Sequence, residues 1–373
     1  MRPAACLSFV LFAFTPAHGQ SSPQATGPKS VLFCFWNVEN LFDDRDDQRN
    51  AVDEEFDNAF AHNDHLRKLK YDRISSALVK INGGKGPDII ACAEVESTRA
   101  AELLRTALNA KLQDPALHYT HVLMKDLDVG RHIATCVLSR IDVSNFNIRL
   151  HGGMLRILET HIYANGHDLC IMATHWTSKT NGGDQGRGGR NKYARTVSGV
   201  FDRFAKNNPD TDFLVCGDFN DTPDSEPVAK TLRATSDRLR VVPSPVNPYL
   251  LDLFAGKDPN QYGTHFYNGK PLIYDHICVS PGLLDKNGWS CDPESAKTIT
   301  DGLIRRGATR RQPWRFGNPK DKIRDEDRGY SDHFPVVATL TVQPKKPTPA
   351  PKRKKSGPGS KNPPDSLNPA PPG

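Results

Sequence analysis

Residues Arg328–Val336, RGYSDHFPV, run into an apolar stretch made by Phe334, Val336, Val337, Ala338 and Leu340, yet they open it with an adjacent Asp332–His333 pair. The apolar residues predict a buried strand. The pair in front of them is expensive to bury, because an ionised carboxylate away from water needs a metal or hydrogen-bond donors to meet it. Taken alone, one such pair reads as a solvated turn before an edge strand. The rest of the chain argues against that reading, because the juxtaposition recurs.

Apolar runs of strand length, bounded by turn residues, occur at Val31–Trp36, Asp88–Ala93, Tyr119–Met124, His132–Leu138, Leu169–Thr174, Phe213–Cys216, Tyr274–Val279 and Phe334–Leu340. Between them, helical spacing predicts helices over Leu66–Ile81 (with Asp64 as its cap), Ser97–Leu108 and Lys192–Phe204. Strands interleaved with a few helices make the fold α/β, and no linker interrupts residues 31–342, which predicts one domain.

The two ends differ from this body. Residues 1–19 read as a secretory signal peptide: Arg2, then the apolar CLSFVLFAF, then small residues before Gln20. That apolar run is too short to span a bilayer as a mature helix. Residues 20–30 read as a linker. Residues 343–373 hold ten of the 29 prolines, seven basic residues and the single acid Asp365, which equals the whole formal charge of +6. With almost nothing apolar, this segment cannot build a core and reads as a disordered basic tail able to bind polyanions. Setting aside Arg2 and Lys29 as well, residues 31–342 carry −2, so the basic isoelectric point says little about the folded surface. The eight cysteines mostly sit inside apolar runs, as small buried hydrophobes do, and no C-x-x-C spacing suggests zinc.

Polar residues emerge where the runs end. FCFWNVEN delivers Asn37 and Glu39, PDIIACAEVE delivers Glu94, CIMATHW delivers His175, and FLVCGDFND delivers Asp218, Asn220 and Asp221; YDHICVS begins with Asp275 and His276. Oxygen ligands of this kind suit a hard cation such as Mg²⁺. A His–Asp dyad fixes an imidazole tautomer, and Asn and His can donate to phosphate oxygens.

In this combination and order, from WNVENLF at Trp36 to SDHFPV at Val336, the chain resembles the endonuclease/exonuclease/phosphatase superfamily, the relatives of pancreatic-type deoxyribonuclease and of apurinic endonucleases. Residues 36–57, HWTSK, GDFND and PWRFGNP look more narrowly like its exported bacterial branch. The resemblance implies a four-layer α/β/β/α sandwich with two central, mainly antiparallel sheets and the active site at one end. It also implies that Glu94 is the main metal ligand, helped by Asn37, Glu39 or Asp332, with Mg²⁺ or Mn²⁺ as the cofactor and Ca²⁺ as the alternative. Asp218 would orient or deprotonate the attacking water, Asn220 would hold a phosphate oxygen, His333 backed by Asp275 would meet the scissile phosphate, and His175 would stabilise the phosphate or the leaving oxygen. His276 reads as structural.

The loop from Ser178 to Arg195 is basic and glycine-rich and directly follows His175, so Lys179, Arg190 and Arg195 are candidates for substrate phosphates. TRRQPWRFG (Thr309–Gly317) combines Arg with Trp314 and Phe316, which suits either base stacking or core packing. The acids between Asp43 and Asp57 lack the spacing of a calcium loop and read as a solvated loop. The expected activity is that of an exported or periplasmic, metal-dependent phosphodiesterase, monomeric and a nuclease acting on DNA or RNA. A phosphatase or sphingomyelinase-type enzyme is the alternative within the same chemistry; an inactive polyanion-binding protein is the alternative of another class. The near-neutral body means that local basic loops or the tail would have to neutralise nucleic-acid phosphates.

Overall fold

Alternation along one strand organises the molecule. β1 (Lys29–Leu41) sends Val31, Phe33 and Phe35 to one face and Cys34, Trp36 and Val38 to the other, and all six are fully buried. A strand buried on both faces must lie inside a stack of layers. The computed structural model describes residues 27–47, 53–143, 148–179 and 186–344 and shows that stack. The expected signal peptide and nearly all of the basic tail lie outside the described residues, as does the linker up to Thr26.

β1 pairs with β15 (Val336–Val342) antiparallel and with β2 (Ile89–Val95) parallel. β14 (Trp289–Thr298), β4 (Ala134–Ser139) and β3 (His121–Met124) complete a six-stranded sheet in the order β14-β15-β1-β2-β4-β3. The second sheet has seven strands in the order β5-β6-β7-β8-β13-β10-β9: Arg149–Leu150, Ile157–Ala164, His167–His175, Phe213–Asp218, Asp275–Val279, Leu250–Asp252 and Ala234–Thr235. Only the β1–β2, β7–β8 and β10–β9 pairs are parallel, so both sheets are mainly antiparallel.

The central core lies between the sheets, where Val31, Phe33 and Phe35 meet Ile171, Ala173, Leu214 and Ile277. Each fully buried side chain of this size contributes about 1.5–3 kcal/mol relative to exposure. The other face of β1 packs under helices α2 (Asp64–Lys80) and α3 (Thr98–Asn109) through Ile74, Leu78 and Leu104. On the far side α4 (Arg187–Asn207) covers β7 and β8 through Val197, Val200 and Phe201. The result is the expected α/β/β/α sandwich with few helices.

Several local expectations shift. Asn63, not Asp64, caps α2, its side chain accepting from the Leu66 amide at 3.0 Å. Lys29 and Ser30, assigned to the linker, pair with Val342 and Thr341 in β1. The acid-rich stretch is not simply solvated: Glu54–His62 forms α1, and Asp43, Asp53 and Asp57 are buried. Asp43 accepts from Ser97, and Asp53 from Arg131. β6 and β14 had no predicted counterpart. Seven cysteines are free and buried. Among the described residues no helix is long and apolar enough to cross a membrane.

Candidate active site

One end of the sandwich gathers the C-terminal ends of β1, β2, β7 and β8 and the starts of β13 and β15. In the second sheet, pairing register alone lines up His175 with Asp218 and Asp218 with Asp275. Gly217 permits this alignment, since a Cβ there would lie 2.1 Å from the Thr174 carbonyl oxygen of the neighbouring strand. In the first sheet both β1 and β2 bulge where they reach the site, with register shifts between Asn37 and Leu41 and between Ala93 and Val95. Glu39, Asn40, Glu94 and Asn220 all adopt positive φ, between 50° and 62°. Left-handed backbone is uncommon outside glycine, and its concentration at one place marks geometry held against local preference. The bulges re-aim side chains that a regular strand would point into the core.

Asn37 occupies the middle of the cluster. Its Oδ1 accepts from the Glu39 amide at 3.1 Å, which turns its Nδ2 toward Glu94 Oε1 (3.2 Å) and Asp218 Oδ2 (3.1 Å). Asp218 also accepts from the Asn220 amide at 2.8 Å and from Asn220 Nδ2 at 3.2 Å. Burial pushes its carboxyl up to about 7, against the pull of His333. A carboxyl group near neutrality is suited to general-base work.

The two histidines are held in different states. His175 Nδ1 accepts from the Arg156 guanidinium at 3.2 Å, leaving Nε2–H directed toward Asp218 Oδ2 (3.6 Å) and Glu94 Oε1 (3.8 Å). Burial, together with Arg156 and His333, holds His175 well below the usual histidine range, so it is neutral. His333 donates from Nδ1 to Asp275 Oδ2 at 2.7 Å and faces Asp218 Oδ2 with Nε2 at 3.7 Å. Burial works against its charge, but Asp275 and Asp218 outweigh it and raise His333 well above the ordinary value. The site therefore pairs a neutral donor with an imidazolium.

A model of the Endonuclease/Exonuclease/phosphatase family matches residues 32–342. The chain belongs to this family. Its members are phosphodiesterase-type hydrolases, and the cluster just described has the composition for that chemistry. No curated protein matches the sequence. Among solved structures, a family protein from Bacteroides thetaiotaomicron is 17% identical with a TM-score of 0.50, the match covering 85% of this chain and 96% of that one. Truncated TDP2 from Caenorhabditis elegans is 16% identical with a TM-score of 0.47, over 83% of this chain and 97% of that one. A mutant beta toxin from Staphylococcus aureus with bound magnesium ions is 13% identical with a TM-score of 0.48, over 83% and 99%. At these identities the likeness to the Bacteroides protein speaks for the fold alone.

The donor set suits the hard divalent cation that the family resemblance implies. The Asp332 carbonyl oxygen meets His265 Nδ1 at 3.0 Å, while its carboxylate accepts no hydrogen bond among the described residues and lies within 4.8 Å of ligand atoms of His265 and His333. Asp275 Oδ1 is buried without a partner among the described residues. Glu94, on its bulge, keeps both oxygens at the mouth of the site, Oε1 against Asn37 and Oε2 on the Asn40 amide at 3.0 Å. Magnesium needs only one or two carboxylates, because it keeps most of its waters. Among the described residues the tight ligand clusters are His265–Asp332–His333 and Asp218–Asp275–His333, and Glu94 joins neither.

Two expected metal ligands are otherwise engaged. Glu39 accepts from Arg315 Nε (2.9 Å) and from the amides of Phe316 (2.8 Å) and Gly317 (3.3 Å), so it anchors the 315–317 segment rather than offering oxygen to a metal. Asn37 presents its amide nitrogen, not its oxygen, to the carboxylates.

The expected phosphate contacts divide as well. Arg190 is buried and donates to Asp221 Oδ2 at 2.7 Å, so it is a structural ion pair. Lys179 is half-buried and shares Asp221 at 2.6 Å. Arg195 is exposed on α4 and joins no part of the cluster. His276 is structural as expected, spanning Asp252 Oδ2 (2.8 Å) and the Asp221 carbonyl oxygen (3.0 Å).

Sequence reasoning missed Arg156, which sets the His175 tautomer, and Lys70, fully buried against the Tyr330 carbonyl oxygen at 2.8 Å. It also missed His265, whose ring lies 4.4 Å from that of His333. A lone Arg, Lys or His in an otherwise ordinary segment carries no signal of its own.

Proposed function

We propose that the protein is an exported, divalent-metal-dependent phosphodiesterase that hydrolyses nucleic acid, DNA or RNA. The observation that carries the chemistry is the convergence on Asp218 of four donors: Asn37, Asn220, neutral His175 and the imidazolium of His333 backed by Asp275. Asp218 would take the proton of the attacking water while His333 and His175 meet the charge that develops on the phosphoryl oxygens. Each such preorganised group is typically worth about 10²–10³ in rate. A Mg²⁺ or Mn²⁺ ion on Glu94 and Asp332 would supply Lewis-acid stabilisation of that same charge.

The choice of nucleic acid over a lipid headgroup rests on where apolar surface lies. Leu239, Val242 and Val246 are the exposed large apolar residues that lie close together in sequence, in the segment leading into β10, whereas Met154, Tyr163, Tyr267 and Ile304 are scattered singly. Leu251 pairs with Val279, whereas the site lies at Asp275, so that segment sits at the end of the second sheet away from the site. A lipid wedge there would turn the catalytic cluster away from the membrane. In Asn247–Leu251, NPYLL, both leucines are buried. Export rests on residues 1–19 alone.

The test is one purified protein assayed on plasmid DNA, RNA, a bis-aryl phosphodiester, an aryl monoester and sphingomyelin vesicles, each with Mg²⁺ and with chelator. Metal-dependent cleavage of DNA or RNA is expected. Full activity in chelator, or turnover of sphingomyelin with nucleic acid untouched, would overturn the proposal.

A further inference from the structure

Between β14 and β15 the chain makes a long excursion that the catalytic cluster does not use. From Gly302 to Lys320 it holds six basic residues and no acid, although residues 31–342 as a whole are slightly acidic. The excursion folds into a short hairpin: Ile304 bridges Pro313, the Arg305 amide donates to the Gln312 carbonyl at 2.9 Å, and that of Trp314 to Leu303 at 2.9 Å. Arg311 donates to the Gln261 carbonyl and to Thr300 Oγ1, and Arg310 to the Gly269 carbonyl, so both tie the hairpin down through neutral acceptors.

A pocket of about 410 Å³ opens on this hairpin, lined by Arg305, Arg306, Gln312, Trp314, Arg315 and Asp327 among others. Arg305 and Arg306 are exposed, and neither pairs with a carboxylate among the described residues. The Arg306 guanidinium lies 4.5 Å from the Trp314 ring centroid, while the indole N–H donates to the Asp327 carbonyl at 2.8 Å. Of the two readings that composition allowed for Trp314 and Phe316, base stacking or core packing, packing is the one observed: both are buried, and Trp314 serves as a shelf for an arginine. The carboxylate of Asp327, the lining acid, is taken by Arg324 at 2.7 Å.

The pocket adjoins the active site through two links. Arg315 lines it and also grips Glu39 at 2.8 Å while its side chain stays 61% exposed. Trp314 and Arg315 pair with the chain that leads into Asp332–His333, through Gly329 to the Arg315 carbonyl (3.0 Å) and Tyr330 to the Trp314 carbonyl (2.6 Å). Gly329 is required here, because a Cβ would lie 1.9 Å from the Trp314 oxygen.

We propose that this pocket is a second phosphate-binding subsite that holds a phosphodiester flanking the scissile one, so that the enzyme grips a polynucleotide strand at two points. The inference rests on the nuclease reading above and sharpens it. Guanidinium forks match phosphate oxygens, and the aromatic shelf beneath Arg306 preorganises one of them. A lipid headgroup, whose one phosphodiester sits at the catalytic cluster, would leave Arg305 and Arg306 without a counter-charge.

The test uses full-length protein and Arg305→Ala/Arg306→Ala, with Arg305→Lys/Arg306→Lys as the charge-retaining control. Single-stranded oligonucleotide binding is read by fluorescence anisotropy in chelator, and kcat/KM is read on the same oligonucleotide and on a bis-aryl diester. The double Ala variant should weaken oligonucleotide binding at least tenfold. Its log–log salt slope should be shallower by about 0.7, the contribution of the one phosphate contact that the pocket makes on a single strand. Its kcat/KM should fall at least tenfold further on the oligonucleotide than on the diester, and the Lys control should recover much of the binding. Unchanged affinity and slope, or equal loss on both substrates, would overturn the subsite. A wild-type protein that leaves nucleic acid uncut would overturn the nuclease reading instead, and the anisotropy arm, needing no turnover, would still decide the pocket.

Discussion

Replacing Asp275 with Asn tests how the site keeps an imidazolium next to a phosphate. Asp275 is fully buried, and its Oδ2 accepts from His333 Nδ1 at 2.7 Å. Asn is nearly isosteric and keeps an acceptor in place, so the change removes charge rather than shape. With charge centres about 4 Å apart and an effective dielectric of about 20, the lost attraction is about 4 kcal/mol. Losing that attraction lowers the His333 pKa, because the buried carboxylate is a main cause of its elevation. Wild-type His333 stays protonated until the pH rises past its raised value. In Asp275→Asn the same deprotonation limb moves to lower pH. On a bis-aryl phosphodiester at saturating Mg²⁺, kcat at pH 8 should therefore fall by about 10²–10³, in line with the loss of one charge-stabilising group. The deficit should narrow on the acid side as the ring regains its proton. Circular dichroism should show an intact fold. A variant within fivefold of wild type at pH 8 would refute the reasoning, and so would a deficit that stays constant from pH 5 to pH 9.

Three further outcomes are expected. Asp221→Asn strands the buried Arg190 without its counter-ion and should lower stability in urea denaturation by about 3–5 kcal/mol, as removal of one partner of a buried pair does; a loss below about 1 kcal/mol would return Arg190 to the pool of substrate-facing cations. His161 is pushed down by burial, but Asp168, Cys170 and Glu159 override this and raise it to about 12. Its stabilising contribution is complete below the unfolded histidine value and is lost as pH rises toward 12, so the urea midpoint of wild type should decline above about pH 6.5 more steeply than that of His161→Asn; parallel profiles would contradict this. Truncation after Val342 removes a +6 charge, and it should weaken binding to long DNA and flatten its salt dependence while sparing a small diester; an unchanged salt slope would make the tail a spacer.

The layers of the sandwich and much of the site were legible in one dimension, for a physical reason. Strand periodicity and helical spacing are local, so the alternation in Val31–Val38 and the apolar stripe of Lys192–Phe204 announce their elements without any partner. Polar residues that break an apolar run also announce themselves, which is why Asn37, Glu94, His175, Asp218, Asp275 and His333 could be picked out before their convergence was visible. What each group does there was not local. Glu39 and Glu94 are both carboxylates near the C-terminal ends of strands, yet one is clasped by Arg315 and two amides while the other faces the site. The bulges and left-handed residues that separate them arise only when strands pair. Arg190 and Arg305 are likewise the same residue type in basic, glycine-bearing segments. One is buried against Asp221 and the other stands exposed beside the cleft, because burial and counter-charge come from chain far away in sequence and exist only after the sheets have closed on each other.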